Sequence, residues 1–247
     1  MTLSIGKALL LALLVAFTAG MLRAQGTDAS HPPGLNAAQI AAQLQRHTQA
    51  QAVALRGYKA LRHYQVEYSG FAARIGAKMD VEVSYDSATG KSLRIVSQSG
   101  SGILCDKVLK RAVESEREAA QDKSSTALSE ANYQFVLLGS EEVAGRPAYI
   151  LDVQPHKPSK FLFRGRIWVD SADFAVVKME AEPAKSPSFW ISKTLIHSSS
   201  VKTDGFWLPQ QVRSETKVRI GGTATLTIDY GTYKVVSEEM AMRGSGS

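Results

Sequence analysis

The chain has 247 residues, of which 44% are hydrophobic and 21% are charged, and its formal net charge is +6. This apolar fraction excludes a wholly disordered chain, and 19 glycines and 8 prolines without a repeat exclude a collagen-like or low-complexity protein. The single cysteine, Cys105, cannot form an internal disulfide or a thiolate metal cluster, and we expect a buried, inert thiol there.

The first 24 residues have the pattern of a secretory signal peptide. Lys7 precedes a short apolar block, residues 8–19, and Ala24 offers a small residue for cleavage, with Gly20 as the alternative. The block is shorter than the ~20 residues that a membrane-spanning helix needs, so a cleaved signal is expected rather than an anchor. Cleavage after Ala24 removes two basic residues and no acidic one, which lowers the net charge to +4. Because no basic run remains, we expect no nucleic-acid partner.

The rest of the chain is predicted to form one folded unit with polar ends. Residues 25–34 are typical of a flexible leader, residues 35–237 of one domain, and residues 238–247 of a flexible tail. No linker between these ends is long enough to divide the domain, and about 200 residues can share one core when the architecture is rich in β-strands.

A helix is predicted to open the domain at Asn36. Asparagine is a favoured N-cap residue, and Gln39 stands where it completes a capping box. Apolar residues continue at near-helical spacing as far as Leu55, until Gly57 interrupts. The apolar stripe is thin, so this helix is expected to cover another layer of the protein.

From Tyr64 onward, apolar and polar residues alternate with a period of two, which predicts β-strands. The apolar positions of these strands are Tyr64, Val66, Tyr68, Met79, Val81, Val83, Tyr85, Leu93 and Ile95. The Ser/Gly tract that follows, residues 97–102, is predicted to be a flexible joint.

A second helix is predicted from about Ile103 to Ala120. Its apolar side comprises Leu104, Val108, Ala112 and Val113. Its solvent-facing side is predicted to comprise Glu114, Glu116, Arg117 and Glu118.

The second half of the chain is predicted to be a succession of strands with one apolar face each. These apolar residues include Tyr149, Leu151, Val153, Phe161, Phe163, Ile167, Val169, Val177, Met179, Ala181, Val212, Ala224, Leu226, Ile228 and Tyr230. The opposite face carries Arg164, Arg166, Trp168 and Asp170, so Trp168 is expected to be exposed. The pair Gly221-Gly222 is of the kind that permits a tight hairpin.

Strands joined by short turns are antiparallel neighbours, because parallel pairing needs long crossovers. Because each successive strand has one apolar face, the sequence predicts an α+β, mostly β fold, in which a strongly curved antiparallel sheet or barrel encloses an apolar interior. The two helices have no parallel strands to connect, so their apolar stripes are expected to cover that inner face. A sheet that does not fill itself leaves an apolar hollow beneath such a cover.

Four local strings carry a family resemblance: residues 165–170 (GRIWVD), 183–190 (PAKSPSFW), 205–209 (GFWLP) and 228–230 (IDY). With them, the chain resembles the outer-membrane lipoprotein-sorting proteins of the periplasmic lipoprotein-carrier superfamily, most specifically over residues 140–237. The resemblance implies an unclosed half-barrel of about ten to eleven strands, with the two helices as a lid over a hydrophobic cavity. It also implies periplasmic handling of acyl chains or lipidated proteins.

The best-studied carriers of that superfamily hold the lid with an arginine on an early strand, and Arg62, Arg74 and Arg94 are alternative equivalents here. The cavity wall that the resemblance and the alternation together predict is formed by Val66, Tyr68, Val81, Val83, Ile95, Tyr149, Leu151, Val153, Phe161, Phe163, Ile167, Val169, Met179, Trp190, Leu226 and Ile228. The alternative is that these side chains fill a dry core.

Catalytic and metal-binding patterns are not found in the sequence. The histidines, His31, His47, His63, His156 and His197, form no close pair of the zinc-binding kind, and no Gly-x-Ser-x-Gly elbow occurs. Asp152, Asp170 and Asp173 are interpreted as solvated outer-face charges rather than a glycosidase-type acid pair. We therefore predict a non-enzymatic protein without metal or cofactor.

The predicted function is that of a periplasmic carrier or sensor for acyl chains, lipids or lipidated proteins, with an envelope membrane protein as a further partner and a monomeric state. Release of the ligand is expected to require movement of residues 97–102 and of the helix that follows. The alternative is an envelope protein-interaction module with a filled core and no lipid ligand. Its outer face, including Trp168 and Arg166, would then bind the partner.

Overall fold

A computed structural model describes residues 34–70, 74–121, 126–159, 161–186, 191–219 and 221–237. Helix α1 spans Ala37–Ala54, and a second helical segment comprises α2 (Gly102–Leu104), a π-helical turn (Cys105–Leu109) and α3 (Lys110–Gln121). The strands are β1 (Leu55–Ser69), β2 (Arg74–Asp86), β3 (Gly90–Gly100), β4 (Tyr133–Val143), β5 (Arg146–Pro155), β6 (Phe163–Asp170), β7 (Val176–Pro183), β8 (Ile191–Thr203), β9 (Phe206–Val218), β10 (Thr223–Tyr230) and β11 (Lys234–Ser237). The predicted signal peptide and Trp190 lie outside the described residues.

The described strands form one antiparallel sheet in the order β3-β2-β1-β10-β9-β8-β7-β6-β5-β4, with β11 pairing to β1. The predicted fold class, a mostly β, unclosed half-barrel with two helical covers, is confirmed. Strands β3 and β4 are consecutive in the sequence but form opposite edges of the sheet. The segment between them, which contains α2 and α3, must therefore cross the sheet, and this places it over the concave face.

The first helix begins as predicted and ends earlier than predicted. The Asn36 side chain accepts a hydrogen bond from the Gln39 amide, and the Gln39 side chain accepts one from the Asn36 amide, which completes the capping box. Leu55 already has an extended backbone, and β1 begins there. Gly57 lies within β1, where a Cβ would come within 2.7 Å of the Tyr85 carbonyl oxygen. The glycine therefore permits close strand pairing and does not end the helix.

Two apolar clusters lie on the concave face. The first joins β1, β2, β9 and β10 to the second helical segment, and the second joins β4 to β7 and α1. Residues 97–100, predicted to be a flexible joint, belong instead to β3, in which Gly100 pairs with Ala77. Hydrogen bonding to β2 orders this tract despite its serine and glycine content.

The convex face is less exposed than predicted around Trp168, which is only 4% exposed. The Lys178 ammonium lies 4.1 Å from the centroid of its ring, and Ala148 and Val177 pack against it. Val177 lies on this face because the pairing of β6 and β7 shifts register between Trp168 and Val169. The predicted exposed tryptophan is therefore wrong.

Asp170 is likewise buried, which corrects its interpretation as a solvated charge. Its carboxylate accepts hydrogen bonds from Arg146 at 2.6 and 2.9 Å and from the amides of Ala172 and Asp173. These bonds lower the pKa of Asp170 although burial alone would raise it. Asp170 therefore stabilises the turn that connects β6 and β7.

Candidate functional site

A cavity of about 330 Å³ lies between α1 and the concave face, near the junction of the two apolar clusters. Most of its wall is apolar, and the apolar residues are Leu44, Leu128, Phe161, Leu162, Phe163, Ile167, Ala175, Val176, Met179, Ile196, Leu208 and Val212. Polar or charged side chains in the wall include His47, Gln51, Arg62, Lys91, Glu116 and Ser198. The concave face is therefore incompletely filled, and the volume is in the range of small-molecule sites.

The cavity occupies one part of the predicted wall. Phe161, Phe163, Ile167 and Met179 line it. Val66, Val81, Val83, Leu226 and Ile228 are buried in the cluster beneath the second helical segment, and Tyr68 packs against that cluster. Leu151, Val153 and Val169 are buried in the other cluster, with Tyr149 beside it. Ile95 is 37% exposed, because β3 is an edge strand whose pairing with β2 shifts register nearby.

The Gln51 side chain holds helix α1 over the cavity by hydrogen bonding to the backbone of β9, as a neighbouring strand would. Gln51 donates a hydrogen bond to the Trp207 carbonyl at 3.0 Å and accepts one from the Trp207 amide at 2.9 Å. Trp207 lies at the start of β9, before the part of this strand that pairs with β10. That pairing begins at Gln211, opposite Asp229. Leu44, about two helical turns before Gln51, is buried in the second cluster.

Arg62 of β1 and Glu116 of α3 form a buried ion pair in the cavity wall. Arg62 Nη1 donates to both carboxylate oxygens of Glu116, at 2.7 and 2.8 Å. Lys91 Nζ donates to the same carboxylate at 2.9 Å, and its side chain is 26% exposed. The prediction that Glu116 faces solvent is therefore wrong, since its side chain is 2% exposed.

The sequence contained a signal for both partners of this pair. Arg62 lies in phase with Tyr64 and Val66, which are inward residues of the same strand. Glu116 follows Val113 by three residues, so both share one helix face. Of the three candidate arginines, Arg62 is the one that contacts the second helical segment through this pair. Arg74 is exposed, and Arg94 pairs with Glu82 at the exposed edge of the sheet.

The electrostatics of the cluster keep all three groups charged. Burial alone would raise the pKa of Glu116, but Lys91 and Arg62 hold it below its ordinary value. Burial alone would lower the pKa of Lys91, and Glu116 raises it above its ordinary value. Burial alone would likewise lower the pKa of Arg62, and Tyr230 and Glu116 raise it above its ordinary value. Two cations thus face one carboxylate at neutral pH.

Two buried polar atoms of the cluster, Arg62 Nε and Tyr230 Oη, have no hydrogen-bond partner among the described residues. They belong to neighbouring side chains, since the Arg62 guanidinium lies 4.4 Å from the centroid of the Tyr230 ring. Burial raises the pKa of Tyr230 well above its ordinary value, which keeps its hydroxyl protonated as a donor.

No group of three or more histidine, cysteine, aspartate or glutamate side chains within the described ranges has metal-binding geometry. His63 lies 2.7 Å from Asp80, and His156 Nε2 lies 3.0 Å from the Glu130 carbonyl oxygen. The Cys105 thiol is buried and donates to the Ser99 carbonyl at 3.6 Å. In the part of the chain that the structure describes, no helix has the length and apolar character needed to span a membrane.

Comparisons with known proteins bear on the family. No curated protein matches the chain. Among solved structures, it is similar to a putative outer membrane lipoprotein-sorting protein domain from Vibrio parahaemolyticus, with 10% identity over 84% of this chain and 98% of that one and a TM-score of 0.42. It is also similar to a DUF1329 family protein from Desulfovibrio piger (15% identity, 79% and 92% coverage, TM-score 0.39). A third similar structure is a LolA superfamily protein from Nitrosomonas europaea (12% identity, 82% and 94% coverage, TM-score 0.36).

One of these similar structures is described as a lipoprotein-sorting protein domain, the class that the four sequence strings resemble. A family model described as "uncharacterized protein"-like matches residues 84–240. Because this match covers more than half of the 247 residues, the chain belongs to that family.

Proposed function

We propose that this protein is a non-enzymatic carrier or sensor that shelters an acyl chain of a lipid or lipidated protein in the cavity beneath α1 and α3. The observation that carries the proposal is the cavity itself, which stays open on a concave face whose other apolar residues are packed. Its apolar wall supplies the driving force, since each buried methylene contributes about 0.8 kcal/mol. An acyl chain therefore binds through apolar contacts, without polar contacts along its length.

The pattern of the first 24 residues supports export, so we propose that the protein acts in the periplasm. Entry and release of the chain require the second helical segment to separate from the sheet. Arg62 and Glu116 join these two layers, as do the bonds of Lys91 to Glu116 and of Arg117 to the Leu93 carbonyl, and opening must break these contacts. Removing one partner of a buried pair is strongly destabilising, so the closed state is favoured until ligand or partner binding compensates.

The filled-core alternative finds less support. A cavity of about 330 Å³ remains under the lid, and Trp168, its proposed outer anchor, is covered by Lys178 and Val177. A docking surface at this point would first have to expose the tryptophan.

A volume-filling variant tests the carrier function. Ser198 lies in the cavity wall on β8, and Ser198→Phe should fill part of the space without removing an apolar contact. The matched control is Ser92→Phe, the same change at an exposed residue of β3. Binding of a fluorescent fatty acid and native mass spectrometry of protein purified from cells are the two measurements.

We expect the wild type and Ser92→Phe to bind the fluorescent fatty acid, and Ser198→Phe to bind at least about tenfold more weakly. Thermal unfolding of all three proteins checks that the fold is intact. Equal uptake by Ser198→Phe, or no uptake and no co-purified lipid in the wild type, would contradict the carrier function.

A further inference from the structure

The charge of the cavity wall is not balanced. Arg62 and Lys91 share one carboxylate, Glu116, and all three side chains line the cavity. An ion pair that holds β1 to α3 needs only one cation for one carboxylate. The second cation leaves the cluster with a net positive charge beside an apolar hollow, which favours an anionic group at this point.

Two unused donors lie at the same point. Arg62 Nε and the Tyr230 hydroxyl are buried and have no acceptor among the described residues. Both side chains line the cavity, and the guanidinium stacks on the Tyr230 ring. Buried donors are ordinarily satisfied, so a pair of them in a cavity wall points to an acceptor that arrives with the ligand.

The apolar wall continues from this cluster toward Phe163 and Ile167. Met179 packs against both apolar clusters and therefore bridges the charged part of the cavity and its apolar part. The cavity thus has the two-part character of an amphiphile, cationic where β1 and α3 meet and apolar beneath α1.

We infer that the ligand is a single-chain amphiphile with an anionic oxygen head, which docks at Arg62, Lys91 and Tyr230 while its chain lies against Phe163, Ile167 and Met179. This inference rests on the proposed carrier function and adds the chemical class of the head group. A carboxylate and a phosphate monoester share the chemistry required, since oxygen anions accept charge-assisted hydrogen bonds from guanidinium and ammonium groups.

Head-group selectivity at constant chain length tests the inference. Isothermal titration calorimetry of the full mature chain would compare dodecanoic acid, dodecyl phosphate, methyl dodecanoate and dodecanol. The variants are Tyr230→Phe and Lys91→Gln, which spare the Arg62–Glu116 pair. Tyr68→Phe is the matched control, because it removes a hydroxyl that lies outside the cavity wall and donates to the Gly221 carbonyl.

We expect the wild type to bind an anionic ligand at least about tenfold more tightly than the ester or alcohol. Tyr230→Phe and Lys91→Gln should reduce that ratio, whereas Tyr68→Phe should keep it. The preference between dodecanoic acid and dodecyl phosphate identifies which anion the site takes. Equal binding of the acid, phosphate, ester and alcohol would overturn the inference and leave the carrier function standing. Failure of all four to bind would refute both.

Discussion

Arg62 and Glu116 are 54 residues apart in the sequence, yet their side chains are each 2% exposed, and one guanidinium nitrogen of Arg62 donates hydrogen bonds to both carboxylate oxygens of Glu116. The pair joins β1 to α3, in the helical segment that crosses the sheet. Because β1 lies between β2 and β10, the contact ties the cover to an interior strand rather than to an edge.

Loss of the carboxylate should therefore weaken the fold. Glu116→Gln leaves Arg62 buried without an anionic partner, and we expect the free energy of unfolding to fall by about 3 kcal/mol. The matched control is Glu114→Gln on the same helix, because Glu114 is half exposed and its bridge to Arg117 is at the surface. Urea unfolding measures both variants, and equal small effects would show that the buried pair does not stabilise the closed form.

The same pair predicts a dependence of stability on pH. The folded pKa of Glu116 lies below its ordinary value of 4.5, so its contribution is complete above that value and is lost as the pH falls through the lower folded pKa. The difference in unfolding free energy between wild type and Glu116→Gln should accordingly be constant near neutral pH and shrink in acid. A difference that grows as the pH decreases would contradict this assignment.

The attachment of α1 should depend on Gln51. Gln51→Ala removes two hydrogen bonds to the Trp207 backbone and leaves both groups without that partner, so we expect a loss of about 1 to 3 kcal/mol. Gln49→Ala, at an exposed residue of the same helix, should change stability by less than about 0.5 kcal/mol. Hydrogen exchange should report faster opening of α1 in Gln51→Ala than in Gln49→Ala, and equal rates would count against the contact.

A variant of Trp168 tests whether this residue has a structural role or a docking role on the convex face. Trp168→Ala should lower the free energy of unfolding by about 3 to 5 kcal/mol, because the ring is buried beneath Lys178 and beside Val177. Arg166→Ala, at the neighbouring exposed position of β6, serves as the control and should have little effect. A Trp168→Ala protein as stable as the wild type in urea would restore the interpretation of an exposed anchor.

Periodicity and local chemistry determined most of the secondary structure. The Asn36 and Gln39 pair fixed the start of α1, and the alternation around Val81 and Leu226 identified inward faces of strands. These signals are reliable because capping and side-chain alternation act over a few residues. The start of β1 was missed, since Leu55 also fits a helical spacing and a glycine such as Gly57 can either end a helix or permit a close strand contact.

The sequence by itself determined a curved antiparallel sheet with one apolar face, two helical covers and a resemblance to lipoprotein-sorting proteins. Only the tertiary structure decided which part of that face stays open. Val66 and Ile167 follow the same alternation, but the second helical segment covers Val66 while Ile167 lines the cavity. It likewise decided that Glu116 is buried. Both outcomes depend on where a crossing helix settles on a distant part of the sheet, and that docking arises from contacts between residues far apart in the chain.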